Sequence, residues 1–329
     1  MAVSNVRPLA IFTGYMLLAA ALTLKSVAII RGQRRRRVPP PPKNGTFAAA
    51  VGSPSPQVIF GFGFLAVLSL ATTWYHMFRF FEWSYTQWAM VHAFRESVTG
   101  PGSDENGLRL SEWLSNTSLF KQAWASTLET GPRAWWSLQI FGFCANWSVL
   151  LAAQAKKRDI PHAWIFMLLG QVVAISFASN LSFLAILCSP VNDRKQNDKR
   201  SAQDASPSSF VSCHTIILVV TLLLATLVPT AIGKPGFLAL LLGPHLLAFA
   251  PLLANKLLSP HFLGEPAWFW TAASMTWILA TAFKGVWEEK QDMGAVLATL
   301  YKHPAVSSVG WDVICCWISF GAWFFINLD

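Results

Sequence analysis

The sequence predicts an all-α integral membrane bundle of about eight transmembrane helices, and three observations carry that prediction. Only 12% of the 329 residues are charged and 53% are hydrophobic, whereas soluble domains carry about 25% charge. The mean hydropathy is +0.43. The apolar residues also gather into runs of roughly 20, the length a helix needs to cross a hydrocarbon core. A water-soluble enzyme, a disordered regulator and a fibrous protein are poor fits to these numbers.

The runs can be taken in order. The first, 8–30, is interrupted only by Lys25, whose stem lets the ammonium snorkel to the interface. It is too long for a signal-peptide core and has no clear small-residue cleavage site, so it reads as a retained span. Further spans are predicted at 58–81, 135–155, 162–188, 210–232, 237–257, 267–283 and 306–328. Between the first two, 38–56 contains Pro39, Pro40, Pro41 and Pro42 and reads as an extended linker. Residues 191–209 are polar with mixed charge, the composition of a flexible linker. Residues 82–130 read as a helix continuing out of the second span, followed by an amphipathic helix in the headgroup layer. No internal repeat is present, which weakens a transporter reading built on inverted repeats.

The net charge is +9. Its densest cluster, Arg31 and Arg34 to Arg37, directly follows the first apolar run. Basic residues placed between apolar runs set topology or touch anionic membrane lipids, so nucleic acid is not the expected partner. The cluster is expected on the cytoplasmic side, with the N-terminus in the lumen. Eight spans would then put the C-terminus in the lumen too. Lys156, Lys157 and Arg158 would be cytoplasmic, and the sequon Asn116-Thr117-Ser118 lumenal and open to glycosylation. Arg194, Lys195, Lys199 and Arg200 run against this scheme, although Asp193, Asp198 and Asp204 are interspersed with them. The five cysteines show neither metal spacing nor a disulfide framework. With no HExxH and no clustered aspartates, neither metal nor cofactor is expected.

Ionisable groups at bilayer depth are the default functional candidates, because each is costly unless paired or hydrated. Asp312 lies about one and a half turns into the eighth run, between Trp311 and an uninterrupted apolar stretch. A carboxyl withdrawn from water favours its protonated form, and a protonated acid in a dry pocket suits protonation of an olefin or epoxide. The competing reading is that Asp312 caps or pairs to fix a helix. Glu82 ends the second run near His76, Arg79 and Trp83. It is either a second carboxylate for the site or one half of an interfacial ion pair with Arg79. His245 sits inside LLLGPHLLAFAPLL, as a proton relay or as a hydrogen-bonded structural imidazole. Glu265 and the pair Glu288 and Glu289 are accounted for by a helix start and a solvated charge network. Gln139, Asn146, Gln171 and Asn180 read as interhelical hydrogen-bonding groups. Trp74, Trp83, Trp277, Trp311 and Trp317 lie near the acids. Their indole faces would stabilise a cation, although interfacial belts use tryptophan anyway.

The plan of the whole chain, with its C-terminal HPAVSSVGWDVI segment at 303–314, resembles the membrane-bound terpene cyclases of fungal meroterpenoid biosynthesis. The nearer type is that of the ascofuranone and macrophorin pathways. The resemblance implies an enzyme of the endoplasmic reticulum membrane that acts on a lipophilic prenylated substrate without metal. A general acid would protonate a terminal epoxide or alkene of a farnesyl-type chain borne on an aromatic or quinol head. The carbocation would then cyclise among aromatic side chains. On this sequence Asp312 would be the proton donor, Glu82 would assist or act as base, and His76 or His245 would tune or reprotonate the acid. A small transporter or channel, a non-catalytic scaffold or lipid-binding protein, and a sterol-isomerase-like enzyme are the alternatives.

Overall fold

The computed structural model describes residues 6–37, 54–99, 109–190, 212–259 and 268–326, and is all-helical over these ranges. The proline-rich linker at 38–56 falls outside them except at its last residues, and the linker at 191–209 falls outside entirely. Thirteen α-helices are present among the described residues. They are α1 (Val6–Arg37), α2 (Pro56–Thr99), α3 (Leu110–Asn116), α4 (Leu119–Leu128), α5 (Gly131–Arg158), α6 (Trp164–Val172) and α7 (Ile175–Cys188). These are followed by α8 (Cys213–Leu227), α9 (Phe237–Leu247), α10 (Ala250–Leu257), α11 (Trp268–Glu288), α12 (Met293–Lys302) and α13 (Pro304–Ile326).

Five helical stretches are long and apolar enough to cross a membrane: Leu9–Arg37, Pro56–Phe94, Gly131–Arg158, Cys213–Ala231 and Pro304–Ile326. The pair α9 and α10, bent by 49° at its break, makes a sixth when taken as one span. The expected count of about eight is not confirmed among the described residues, and two of the predicted runs do not pass as single spans on length and composition. α11 has the length, but its threonines, serine and tryptophans dilute its apolar character. The run at 162–188 is two helices, divided at Val173 and Ala174.

α5 is the buried centre, packed by α4, α7, α8, α10, α11, α12 and α13. Its two ends give the bundle a direction. At its C-terminal end, Arg158 Nη1 donates to the Ile186 carbonyl at 3.0 Å, Arg37 donates to the Leu187 carbonyl, and Asn255 donates to the Ala152 carbonyl at 2.7 Å. Phe183 and Trp323 stack, with Phe62 edge-on to both, towards the same end. At its N-terminal end, Glu289 accepts from the Gly131 amide at 2.7 Å and Trp136 donates to Thr299 at 3.0 Å. Phe12, Phe81 and Trp113 meet there, as do Trp83 and His303.

These contacts make α6 and α7 a helical hairpin. The chain leaves α5 through Asp159, whose left-handed φ of 53° stops the helix. It runs inward along α6, breaks, and returns along α7 until Ile186 meets Arg158 again. Both ends of 160–188 thus lie at one end of the bundle. The remaining long tracks (α1, α2, α5, α8, α9 with α10, α11 and α13) run from end to end. The segment expected as one interfacial helix is two short helices, α3 and α4, folded back onto α1, α2, α5 and α13.

Side-chain hydrogen bonds tie the buried helices together, as expected for a bundle with little hydrophobic drive between helices. Ser274 donates to Asn146 at 2.9 Å, Asn180 to Ser319 at 2.8 Å, Trp317 to Gln139 at 2.9 Å and Trp147 to Ser182 at 3.0 Å. Large apolar side chains such as Ile11, Leu24, Phe60, Val67 and Phe325 are exposed on the outside.

Candidate functional site

The break at Val173 and Ala174 creates the site. Ala174 is extended (φ −167°, ψ 142°) and α7 begins at Ile175. The first amides of α7 therefore lack intrahelical acceptors in the middle of the bundle. Unsatisfied amides in a hydrocarbon interior cost several kcal/mol each. Asp312 on α13 supplies the acceptors: Oδ2 takes the Ile175 amide at 3.0 Å and Oδ1 takes the Ser176 amide at 2.8 Å. The aspartate is buried, and it stands at the positive end of the α7 dipole. The other end of α7 receives the Arg158 and Arg37 guanidiniums on its last carbonyls. The half-helix thus carries the Asp312 carboxyl group at its start and cations at its finish.

A cavity of about 140 Å³ opens beside this cap, with Asp312, His245, Gln171, Cys144, Trp124 and Phe141 in its wall. Trp124 and Phe141 stack with centroids 5.2 Å apart, and both present edges to the His245 ring at 5.3 and 5.6 Å. His245 Nδ1 faces Gln171 Oε1 at 2.5 Å. Because that oxygen only accepts, Nδ1 carries the proton, and in the neutral ring Nε2 holds the lone pair. Nε2 is buried and has no hydrogen-bond partner among the described residues. Gln171 Nε2 donates to Cys144 Sγ at 3.1 Å and to Met167 Sδ at 3.7 Å, and the thioether, which only accepts, sets the amide's orientation.

The expected site residues divide between two places. Asp312 and His245 share this cavity. His76, Glu82 and Trp83 instead line an open groove of about 450 Å³ nearer the α5 N-terminal end, together with Arg79, Tyr301 and Lys302. Glu82 pairs with Arg79 at 3.3 Å, with both side chains mostly exposed, so the interfacial ion pair describes it better than a second acid. None of Trp74, Trp277, Trp311 and Trp317 lines the inner cavity. Trp74 packs edge-on to Phe78, Trp277 joins the α5–α8–α11 cluster, and Trp311 is half-buried on α13. Trp317 is 45% exposed and bonds Gln139. The aromatic wall comes from Trp124 and Phe141 instead. The spacing of Phe120 and Trp124 on one face of α4 was the available signal, because residues four apart share a helix face.

At the foot of α13, His303 accepts the Ala305 amide at 3.2 Å through Nδ1 and packs against Trp83. Burial, with a smaller contribution from Arg133, pushes it down to about 4. No group of three or more His, Cys, Asp and Glu side chains suited to a metal ion occurs among the described residues. No protein family, curated protein or solved structure matches the chain significantly.

Proposed function

We propose that this multi-pass membrane protein is an acid-initiated terpene cyclase acting on a prenylated aromatic or quinol substrate drawn from the lipid. The observation that carries the reading is one buried carboxyl and one imidazole with a free lone pair, both facing an aromatic-walled cavity deep in an apolar bundle. The Asp312 carboxyl would deliver its proton to the terminal epoxide oxygen or alkene carbon. Successive C–C bonds would then form from internal double bonds. Loss of a proton to His245 Nε2 would end the cascade, and return of that proton to Asp312 leaves a net isomerisation. Each oxygen of Asp312 has lone-pair capacity beyond its one amide bond, and the Ile175 and Ser176 amides stabilise the carboxylate left after transfer. Trp124 and Phe141 offer π faces to the developing cation. Exclusion of water protects that cation from early capture.

In this reading seven helical tracks cross the endoplasmic reticulum membrane, and α6–α7 enters and leaves from the cytoplasmic face. That face is the α5 C-terminal end, where Arg31, Arg34 to Arg37, Lys156, Lys157, Arg158 and Lys256 collect. The C-terminal end of α13 falls on the same side, which revises the lumenal placement of the C-terminus expected from eight crossings.

One observation favours a second reading. A helix start at mid-depth beside an acid is also how ion-coupled transporters build substrate sites. Microsomes bearing the chain, incubated with a farnesylated phenol and its terminal epoxide, separate the two. The cyclase reading expects a product of unchanged mass by liquid chromatography–mass spectrometry, absent with Asp312→Asn and sharply reduced with His245→Gln. Uptake of the phenol into sealed vesicles with no isomeric product would favour the transporter.

A further inference from the structure

We infer that the outer groove and the inner cavity are two halves of one site for an amphiphile, with its head in the groove and its isoprenoid tail in the cavity. The inference rests on the reading that the Asp312 cavity takes a lipophilic substrate, and it names the part that reading leaves open. The two depressions lie on one seam, between α2 and α13. Thr73 and Ser308 line the inner cavity, while His76 and Ser307 line the outer groove. On each helix the inner and outer residues are within one turn of each other. Between the halves, Ser308 Oγ donates to the Thr73 carbonyl across the seam at 3.0 Å. Pro304 in the groove and Asp312 in the cavity are eight residues apart on α13, about 12 Å of rise, the reach of a short isoprenoid chain.

The polarity of the halves matches their depth. The inner wall is aromatic and aliphatic around its few polar groups, whereas the groove presents His76, Gln87, Tyr301 and Lys302. Its acid, Glu82, is engaged by Arg79. Lys302 is exposed and has no ion pair among the described residues. A head that accepts hydrogen bonds or carries negative charge, such as a phenol or an aromatic acid, fits that surplus. His76, Glu82 and Trp83 thereby become head-binding residues rather than partners of Asp312 in proton transfer.

Photo-crosslinking of the full chain in microsomes tests this with two probes, farnesyl hydroquinone bearing a diazirine on the ring and its isomer with the diazirine at the far end of the chain. Unlabelled farnesyl hydroquinone serves as competitor. The expected result is competable ring adducts on 75–87 and 301–304, and competable tail adducts on 140–145, 170–175 and 308–312. Lys302→Glu should lower ring labelling about fivefold, close to 1 kcal/mol of head binding. Ser308→Phe should abolish tail labelling while leaving ring labelling in place. Reversed positions, adducts off the seam, no competable labelling, or indifference to Lys302→Glu would each overturn the inference. Labelling as expected with no cyclised product keeps the two-part site and rejects the cyclase. Cyclised product with ring adducts elsewhere does the reverse.

Discussion

Asp312 satisfies two backbone amides that the bundle interior leaves without partners, and any change there acts on stability before it acts on chemistry. Asp312→Asn turns one acceptor into a donor facing an amide, which should cost about 1–3 kcal/mol. Asp312→Ala, which strands both amides, should cost more. Thermal unfolding in detergent measures the difference, and the order wild type, Asn, Ala is the expected ranking. His303 makes a prediction about pH. Its value of about 4 in the fold, against about 6.5 when unfolded, means that folding favours the neutral ring. The contribution is complete above about pH 6.5 and is lost as pH falls towards 4, on the order of 3 kcal/mol over the whole window. His303→Gln should flatten the acid-side fall in unfolding temperature, and an unchanged slope would refute the assignment. Asp312 and His245 were legible in sequence because a polar letter in an apolar run is costly wherever it ends up. Glu82 and His76 have the same chemistry at a helix end, where solvent makes them cheap, and helical spacing alone could not say which way they faced.

Between elements, backbone meets backbone closely where α5 begins beside the end of α11. A Cβ on Gly131 would stand 2.4 Å from the Gly285 carbonyl oxygen, whereas one on Gly285 would meet Gly131 at an ordinary 3.8 Å. Gly131→Ala should therefore destabilise by about 1–3 kcal/mol or more, because backbone has to move. Gly285→Ala should be close to neutral, since alanine favours the helix by up to ~1 kcal/mol. Comparing their unfolding temperatures checks the asymmetry. The helix positions of α1, α2, α5, α8 and α13 followed from run length. The break in 162–188 did not, because VVAIS carries no proline or glycine. What divides α6 from α7 is an acceptor supplied by a residue 137 positions away, and no local pattern encodes that.

Across the whole molecule, the charges sort by end. The four ion pairs described, Arg79–Glu82, Arg109–Glu112, Arg133–Glu129 and Lys284–Glu288, all lie towards the α5 N-terminal end. The opposite end gathers the basic clusters of α1 and α5 together with Lys256 of α10. If 160–188 re-enters, Lys157→Cys and a cysteine tag placed within 191–211 will react with an impermeant maleimide from the same side of sealed microsomes. Labelling from opposite sides would restore a full crossing. Labelling from the same side would also answer the four basic residues at 194–200 that run against an eight-span scheme.

Composition and the length of apolar runs were sufficient for the class, an all-helical bundle with an apolar exterior, because the free energy of placing a side chain in hydrocarbon is summed residue by residue along the chain. The same reasoning found two polar groups too costly to be buried without a partner. Which groups meet was settled only in three dimensions. The pairing of Asp312 with the start of α7, the edge-on packing of Trp124 and Phe141 with His245, and the return of α7 to Arg158 each join segments distant in the chain, and their energies depend on distance and direction rather than on order.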